Sequence, residues 1–135
     1  MMHFLYHPLL NHFPIALWTT SFLFDVLYAM TRQAFFQVGS RYLVGLGLAG
    51  AAVSIGAGFV DYRLLVAQGV GQAFIDIHRI HSALAYTTTG LYLVIFGARL
   101  RWRAMPVGPY VLLGLVGAVM ITLTGYYGGE VRGVM

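Results

Sequence analysis

Cysteine and lysine are both absent from this 135-residue sequence, and charged residues of any kind are scarce. Without cysteine the chain forms no disulfides, thiolate metal sites or iron–sulfur clusters, and it cannot attach a c-type haem covalently. Charged residues make up 9% of the chain and hydrophobic residues 59%, whereas soluble domains are roughly a quarter charged. This balance predicts a protein whose main solvent is lipid.

Four apolar stretches are long enough to cross a bilayer, which takes about 20 helical residues. They cover about 11–30, 42–60, 81–98 and 107–128. The sequence therefore predicts an all-α integral membrane four-helix bundle, with residues 1–135 in a single transmembrane domain. Of the connections only 61–79 is long, and because glycines interrupt its apolar middle we expect it to lie at the membrane interface.

Three prolines fit the starts of these helices. With Asn11 as the N-terminal cap, Pro14 falls in the opening turn of the first helix, where a missing N–H costs little. Pro106 and Pro109 fall at the opening of the fourth helix in the same way. The prolines therefore support the predicted starts of both helices.

The formal charge of +4 comes from arginines scattered at the predicted helix ends, which indicates contact with lipid headgroups and no nucleic-acid binding. Because no Lys or Arg precedes the first apolar run, we expect no signal peptide and a first helix that is retained. The positive-inside rule places the side with more arginines in the cytoplasm, so we expect a bacterial inner-membrane protein with both termini periplasmic. The five predicted cytoplasmic arginines are Arg32, Arg41, Arg99, Arg101 and Arg103, and the three predicted outward ones are Arg63, Arg79 and Arg132.

Every histidine is predicted to lie at the outward end, where ionisable side chains mark candidate sites because they are costly inside a membrane. Two imidazoles at equal depth on facing helices are what a b-type haem requires. Our preferred axial pair is His12 with His81, which leaves His7, His78 or Arg79 to meet the haem propionates. We expect His3 to be an interfacial side chain without a ligand role.

The same residues leave other interpretations open. Three or four imidazoles with Asp61 or Glu130 could hold a single zinc, copper or iron ion, although no HExxH motif is present. The histidines could equally be hydrogen-bonded to backbone and headgroups. Glu130 could fix a ligand histidine by accepting its ring N–H, or it could be solvated. The predicted function is thus a haem-binding electron-transfer subunit, with a cofactor-free structural subunit or a metal-site protein as alternatives. Because no set of nucleophile, base and oxyanion donors can be assembled, an independent enzyme is not indicated.

Two further features lie within the predicted spans. Asp25 is a lone carboxylate toward the cytoplasmic side, where it could pair with Arg32, Arg41 or Arg99, or exchange protons beside a quinone. Small residues at helical spacing follow the second helix, and they allow close helix packing or a flat cofactor. These residues are Gly47, Gly50, Ala51, Ser54 and Gly58.

The segment from His7 to Ile15, HPLLNHFPI, resembles the HPxxxHFPI opening of bacterial membrane proteins grouped as domain of unknown function 2231. The resemblance extends over essentially the whole chain, through Asp25 after an aromatic residue, a glycine-rich second helix closed by Asp61, and Gly128-Gly129-Glu130 near the end. It implies the membrane bundle and marks His7, His12 and His81 as positions that match the family. Some relatives are joined to c-type cytochrome modules. The resemblance therefore favours electron transfer, with a respiratory or redox membrane complex, a c-type cytochrome or a quinone as partner.

Overall fold

The computed structural model describes residues 7–134, which form five α-helices and no strand. The short α1 leads through a turn at Asn11 into α2, and together they make one apolar segment, His7–Thr31. With α3, α4 and α5, this segment gives four helices that are each long and apolar enough to cross a membrane. The predicted all-α membrane bundle is confirmed. The helices are α1 His7–Leu10, α2 His12–Thr31, α3 Ala34–Ala67, α4 Gln72–Arg101 and α5 Val107–Gly133.

The starts of α2 and α5 follow the sequence closely, with Pro14 in the first turn of α2 and Pro106 in the N-cap position of α5. Asn11 occupies the N-cap position of α2, but its side chain makes no capping hydrogen bond. The fourth helix was expected to stop near Gly128, yet α5 continues to Gly133. A glycine pair is compatible with a helix end but does not impose one.

The predicted length of the connection over 61–79 is wrong. α3 continues to Ala67 and α4 begins at Gln72, so only four residues lie between them. The chain reverses at Gly69, which has a positive φ of 85°. Tyr62 and Phe74 stack across this turn with ring centroids 6.2 Å apart. Both helices continue past the predicted spans, and there the side chains of α3 and α4 pack against each other.

The four long helices pack in a ring, in which α2 lies against α3 and α5, and α4 lies against α5 and α3. Consequently α2 faces α4 across the centre. Trp18 of α2 stacks on Tyr92 of α4 there, with centroids 3.9 Å apart and planes 8° from parallel. The Trp18 indole donates to the Val44 carbonyl of α3 and occupies the position that a Cβ at Gly47 would take. The small-residue face of α3 thus packs against a helix at this depth.

The bundle has two chemically different ends. We call the end that carries His7, His78 and His81 the histidine end, and the end that carries Arg99 and the 102–106 turn the arginine end. Eighteen residues of α4 separate His81 from Arg99, a rise of about 27 Å. This is close to the roughly 30 Å thickness of a hydrocarbon core. The two groups therefore lie near opposite edges of the apolar slab.

Candidate functional site

The first histidine of the site, His7, is fixed to α3 by three hydrogen bonds. Its backbone N–H donates to Oδ2 of the buried Asp61 at 2.8 Å. Its ring Nδ1 lies 2.7 Å from the Ser54 carbonyl oxygen and 3.3 Å from the Ser54 hydroxyl. A Cβ at Gly58 would lie 2.9 Å from Nδ1, so the ring packs directly against α3 only because this residue is glycine.

The second histidine, His81 on α4, is held by the neighbouring helix α5 in the same manner. Its Nδ1 lies 3.1 Å from the Thr124 carbonyl oxygen, and a Cβ at Gly128 would lie 3.1 Å from its Cε1. Further from the histidine end, a hydrogen bond of 2.8 Å between the hydroxyl oxygens of Thr88 and Thr124 links α4 to α5. Each imidazole is therefore anchored to a backbone carbonyl and lies against a glycine one turn further along that helix.

The two imidazoles face each other with ring centroids 5.8 Å apart and planes at 72°. A carbonyl oxygen only accepts hydrogen bonds, so in the neutral rings Nδ1 carries the proton and Nε2 carries the free lone pair. Neither Nε2 has a hydrogen-bond partner within residues 7–134. Proteins commonly present histidine to a metal in this way: one ring nitrogen donates to a carbonyl, which fixes the ring, and the other ring nitrogen is free to bind the metal.

His78 forms an aromatic wall beside this pair. Its ring stacks on Tyr62 at 4.3 Å, lies 5.5 Å from Phe74 and is 6.5 Å from His81. Its Nδ1 is 3.3 Å from the Ser82 hydroxyl. His78 and His81 are three residues apart on α4 and therefore occupy neighbouring positions of that helix.

A cavity of about 660 Å³ adjoins the three imidazoles, between the start of the first span and the ends of α3, α4 and α5. Its volume falls within the about 300–1,000 Å³ typical of small-molecule and cofactor sites. Most of the lining is apolar, but Asn11 and Asp61 also line the cavity. Each of these two residues has a buried Oδ1 with no hydrogen-bond partner in residues 7–134. The exposed Arg79 and Arg132 line its outer part.

Other predicted site residues take different positions. His12 lines the same cavity but is exposed, and the structure brings His7, not His12, into ring contact with His81. Glu130 is exposed on α5, and the Nδ1 atoms of His7 and His81 contact carbonyl groups where a carboxylate was considered. His3 lies outside the described residues.

A single-ion centre receives no support from the arrangement. Among residues 7–134, no group of three or more histidine, aspartate or glutamate side chains converges closely enough to hold a metal ion. Asp61 contributes one oxygen to the His7 backbone, and Asp76 accepts a hydrogen bond from Gln72. Of these two carboxylates, Asp61 keeps one oxygen without a partner and Asp76 is engaged within α4.

At the arginine end, Asp25 pairs with Arg99 at 2.6 Å, and both side chains are fully buried. Ser40 donates to the Asp25 carboxylate and accepts from Arg99 Nη1 at 2.8 Å. The guanidinium carbon also lies 4.1 Å from the Tyr110 ring centroid. Of the three arginines that the sequence offered, Arg99 is the partner. Because the pair joins α2 to α4 across the centre, it links the two diagonal helices of the ring.

A family model described as "Predicted membrane protein (DUF2231)" matches residues 5–134. The chain belongs to this family. The DUF2231 description agrees with the four candidate spans of the structure and specifies no reaction. No curated protein and no solved structure matches the chain significantly.

Several features of this DUF2231 site lay beyond sequence reasoning. The carbonyl partners of the imidazoles have no residue-type signature. Gly58 belonged to the predicted small-residue face and Gly128 to the motif near the end of the chain, but the sequence linked neither glycine to an imidazole. The stack of Tyr62 on His78 depends on the extended ends of α3 and α4, which the apolar pattern did not reveal. One feature of the sequence could have indicated this stack: Tyr62 and His78 lie sixteen residues apart, on either side of Gly69.

Proposed function

We propose that this protein is a small membrane subunit that binds a b-type haem between His7 and His81 and takes part in electron transfer at the outward face. The observation that carries the proposal is the matched pair of imidazoles. Each has Nδ1 on a backbone carbonyl, and each keeps Nε2 free. His7 replaces His12 as the favoured partner of His81 because it is part-buried and within ring contact.

The separation of the two rings supports the same proposal. His7 and His81 would be the residues that hold the iron, because their ring centroids are 5.8 Å apart and each offers an Nε2 without a partner among residues 7–134. Two axial imidazoles with no further protein ligand also agree with the lack of a three-ligand cluster among residues 7–134.

The surroundings suit a porphyrin better than a bare ion. The cavity beside the rings is large, mainly apolar and partly walled by the aromatic side chains of Tyr62, Phe74 and His78. Arg79 and Arg132 would hold the carboxylates of the propionates near the membrane surface. When bound, the haem would supply one-electron chemistry, while the protein sets the ligands, the polarity and the access to solvent.

We further propose that the chain lies in a bacterial inner membrane with both termini periplasmic, and that it exchanges electrons with a c-type cytochrome, a quinone or another subunit of a redox complex. The charge distribution supports this orientation, because five of the eight arginines lie toward the arginine end. The histidine cavity would then open toward periplasmic carriers.

The test is the visible spectrum of detergent-purified protein expressed with ample haem supply. We expect a low-spin reduced spectrum in the wild type and a loss or high-spin conversion in His7→Ala and in His81→Ala. His12→Ala is the matched control, since it removes a cavity histidine outside the ring pair. Loss in His12→Ala with retention in His7→Ala would instead restore the pair favoured by the sequence.

A wild-type protein with no absorbance beyond its aromatic residues would overturn the haem proposal. Metal analysis of the same sample would then separate the two alternatives. A stoichiometric transition metal that is lost in His81→Ala would indicate an ion site. A metal-free and stable bundle would indicate a structural subunit of a larger membrane complex.

A further inference from the structure

A second cavity, of about 840 Å³, lies at the arginine end, on the opposite side of the membrane slab from the histidines. It is formed by the 102–106 turn and the adjoining ends of α4 and α5. Its lining is almost entirely apolar, with Leu100, Met105, Leu112 and Leu113 among the contributors. Such a cavity would hold hydrocarbon and not a water-soluble ligand.

Two exposed arginines also line this cavity, and we call them its charged rim. Arg101 and Arg103 are both exposed and flank Trp102, whose side chain is 60% exposed. Tryptophan is enriched at the depth of lipid headgroups, where one part of the ring meets hydrocarbon and the other meets water. The cavity therefore joins an apolar interior to a positively charged rim at the membrane surface.

No protein carboxylate neutralises this rim. The chain has four acidic residues, of which Asp25 is buried against Arg99, and Asp61, Asp76 and Glu130 belong to the histidine end. The rim arginines thus have no acidic partner within the described part of the chain, residues 7–134. An anion from outside the protein is the complementary partner for this charge.

The turn that carries the arginines is fixed in place. The Met105 N–H donates to the Trp102 carbonyl at 3.1 Å, and the Gln37 amide donates to the Arg103 carbonyl at 3.4 Å. The Tyr110 hydroxyl in turn donates to the Gln37 carbonyl at 3.2 Å. Since α3 bonds to the turn directly and α5 bonds to Gln37, the backbone that carries Arg103 is held in place before any ligand binds.

We propose that this cavity binds one anionic phospholipid, with an acyl chain against the leucine-lined wall and the phosphate between Arg101 and Arg103. Basic pockets between transmembrane helices recognise anionic headgroups in this way. A quinone would match the apolar wall but not the charged rim. A second copy of this chain would bring further arginines and no carboxylate to the same end. Charge complementarity therefore favours the lipid.

The test is native mass spectrometry of delipidated full-length protein in detergent, titrated with phosphatidylglycerol or with phosphatidylcholine of the same acyl chains. We expect one phosphatidylglycerol per chain to bind in preference to phosphatidylcholine. Arg101→Gln with Arg103→Gln should weaken phosphatidylglycerol binding by about 25-fold, since each arginine near a headgroup contributes about fivefold. The control is Arg63→Gln, which removes an exposed arginine from the histidine end outside the proposed haem site and should leave the preference intact.

The conservative variant Arg101→Lys with Arg103→Lys keeps the charge and should keep the preference, which guards against misfolding of the glutamine variant. Equal binding of the two lipids to the wild type would overturn the proposal. Displacement of the bound phosphatidylglycerol by an added isoprenoid quinone would also overturn it and assign the cavity to the quinone. A lipid-independent dimer that masks the cavity would assign it to a second copy. None of these results depends on whether a haem binds at the other end.

Discussion

At the scale of single residues, two glycines determine how closely the imidazoles lie against their neighbouring helices. The Cβ of an alanine at Gly58 or Gly128 would meet the ring of His7 or His81 at 2.9–3.1 Å. We expect Gly58→Ala and Gly128→Ala each to destabilise the folded protein by about 1–3 kcal/mol through overpacking, and to shift any spectrum that the ring pair supports. Thermal unfolding in detergent measures the first effect.

Neighbouring glycines provide the control for this prediction. Gly56 and Gly129 lie on the same helices, but nothing stands within 4 Å of the position of an added Cβ. Gly56→Ala and Gly129→Ala should therefore be neutral or slightly stabilising, because alanine favours the helix over glycine. Equal effects at all four positions would show that helix propensity, and not contact with the imidazoles, governs these sites.

The buried ion pair leads to a second prediction at this scale. Asp25→Asn leaves the Arg99 guanidinium buried without a countercharge, and we expect a loss of about 3–5 kcal/mol and a reduced folded yield. Removing both charges, in Asp25→Leu with Arg99→Met, should recover much of that loss because no buried charge then remains unpaired. Yield after gel filtration is the readout. A normal yield for Asp25→Asn with impaired electron or proton transfer would instead indicate a proton-exchanging carboxylate.

The sequence was informative about where polar groups lie and less informative about which of them meet. Apolar length located the spans, and the cost of burying charge drew attention to Asp25 and the histidines. The sequence favoured His12 over His7 as the partner of His81, whereas the structure brings His7 into ring contact with His81. Five residues turn an ideal helix by about 140°, so only one of the two can face His81. The turn at Asn11 and the anchor on Asp61 decide which one does.

At the scale of secondary-structure elements, α1 depends on α3 for its position. This four-residue helix has no buried residue of its own, and its N–H contact to Asp61 is a long-range hydrogen bond that fixes it. We expect Asp61→Ala to increase amide hydrogen exchange over residues 7–12, whereas Asp61→Asn, which retains an acceptor oxygen, should change it little. Asp76→Ala is the matched control, since Asp76 is exposed and bonds only within α4. Unchanged exchange in Asp61→Ala would show that α1 is held by other contacts.

The long helices also explain which boundaries the sequence could not predict. An apolar window detects the part of a helix inside hydrocarbon, and α3, with 34 residues, is about 51 Å long. Its ends carry polar residues that resemble loop sequence. The C-terminal part of α3 nevertheless supplies Asp61 and Tyr62 to the site. Part of the candidate site therefore lies outside the span that an apolar window detects.

At the scale of the whole molecule, the separation of the two ends predicts a topology. Reporter fusions at the N-terminus and the C-terminus should both give a periplasmic signal, because the unneutralised arginines lie together at the opposite end. A fusion within the 102–106 turn should give the cytoplasmic signal. The reverse pattern would place the histidine cavity on the cytoplasmic side and contradict the proposed orientation.

The depth of the histidine cavity also has an electrical consequence. A transmembrane potential is worth about 2.3 kcal/mol per 100 mV to a charge that crosses the entire membrane. A charge that reaches His7 and His81 from the adjacent aqueous side traverses only the outermost part of that field. The energy of its arrival should therefore be nearly independent of the membrane voltage. Electrical work would be done only if the charge continued past the Trp18–Tyr92 stack toward the arginine end.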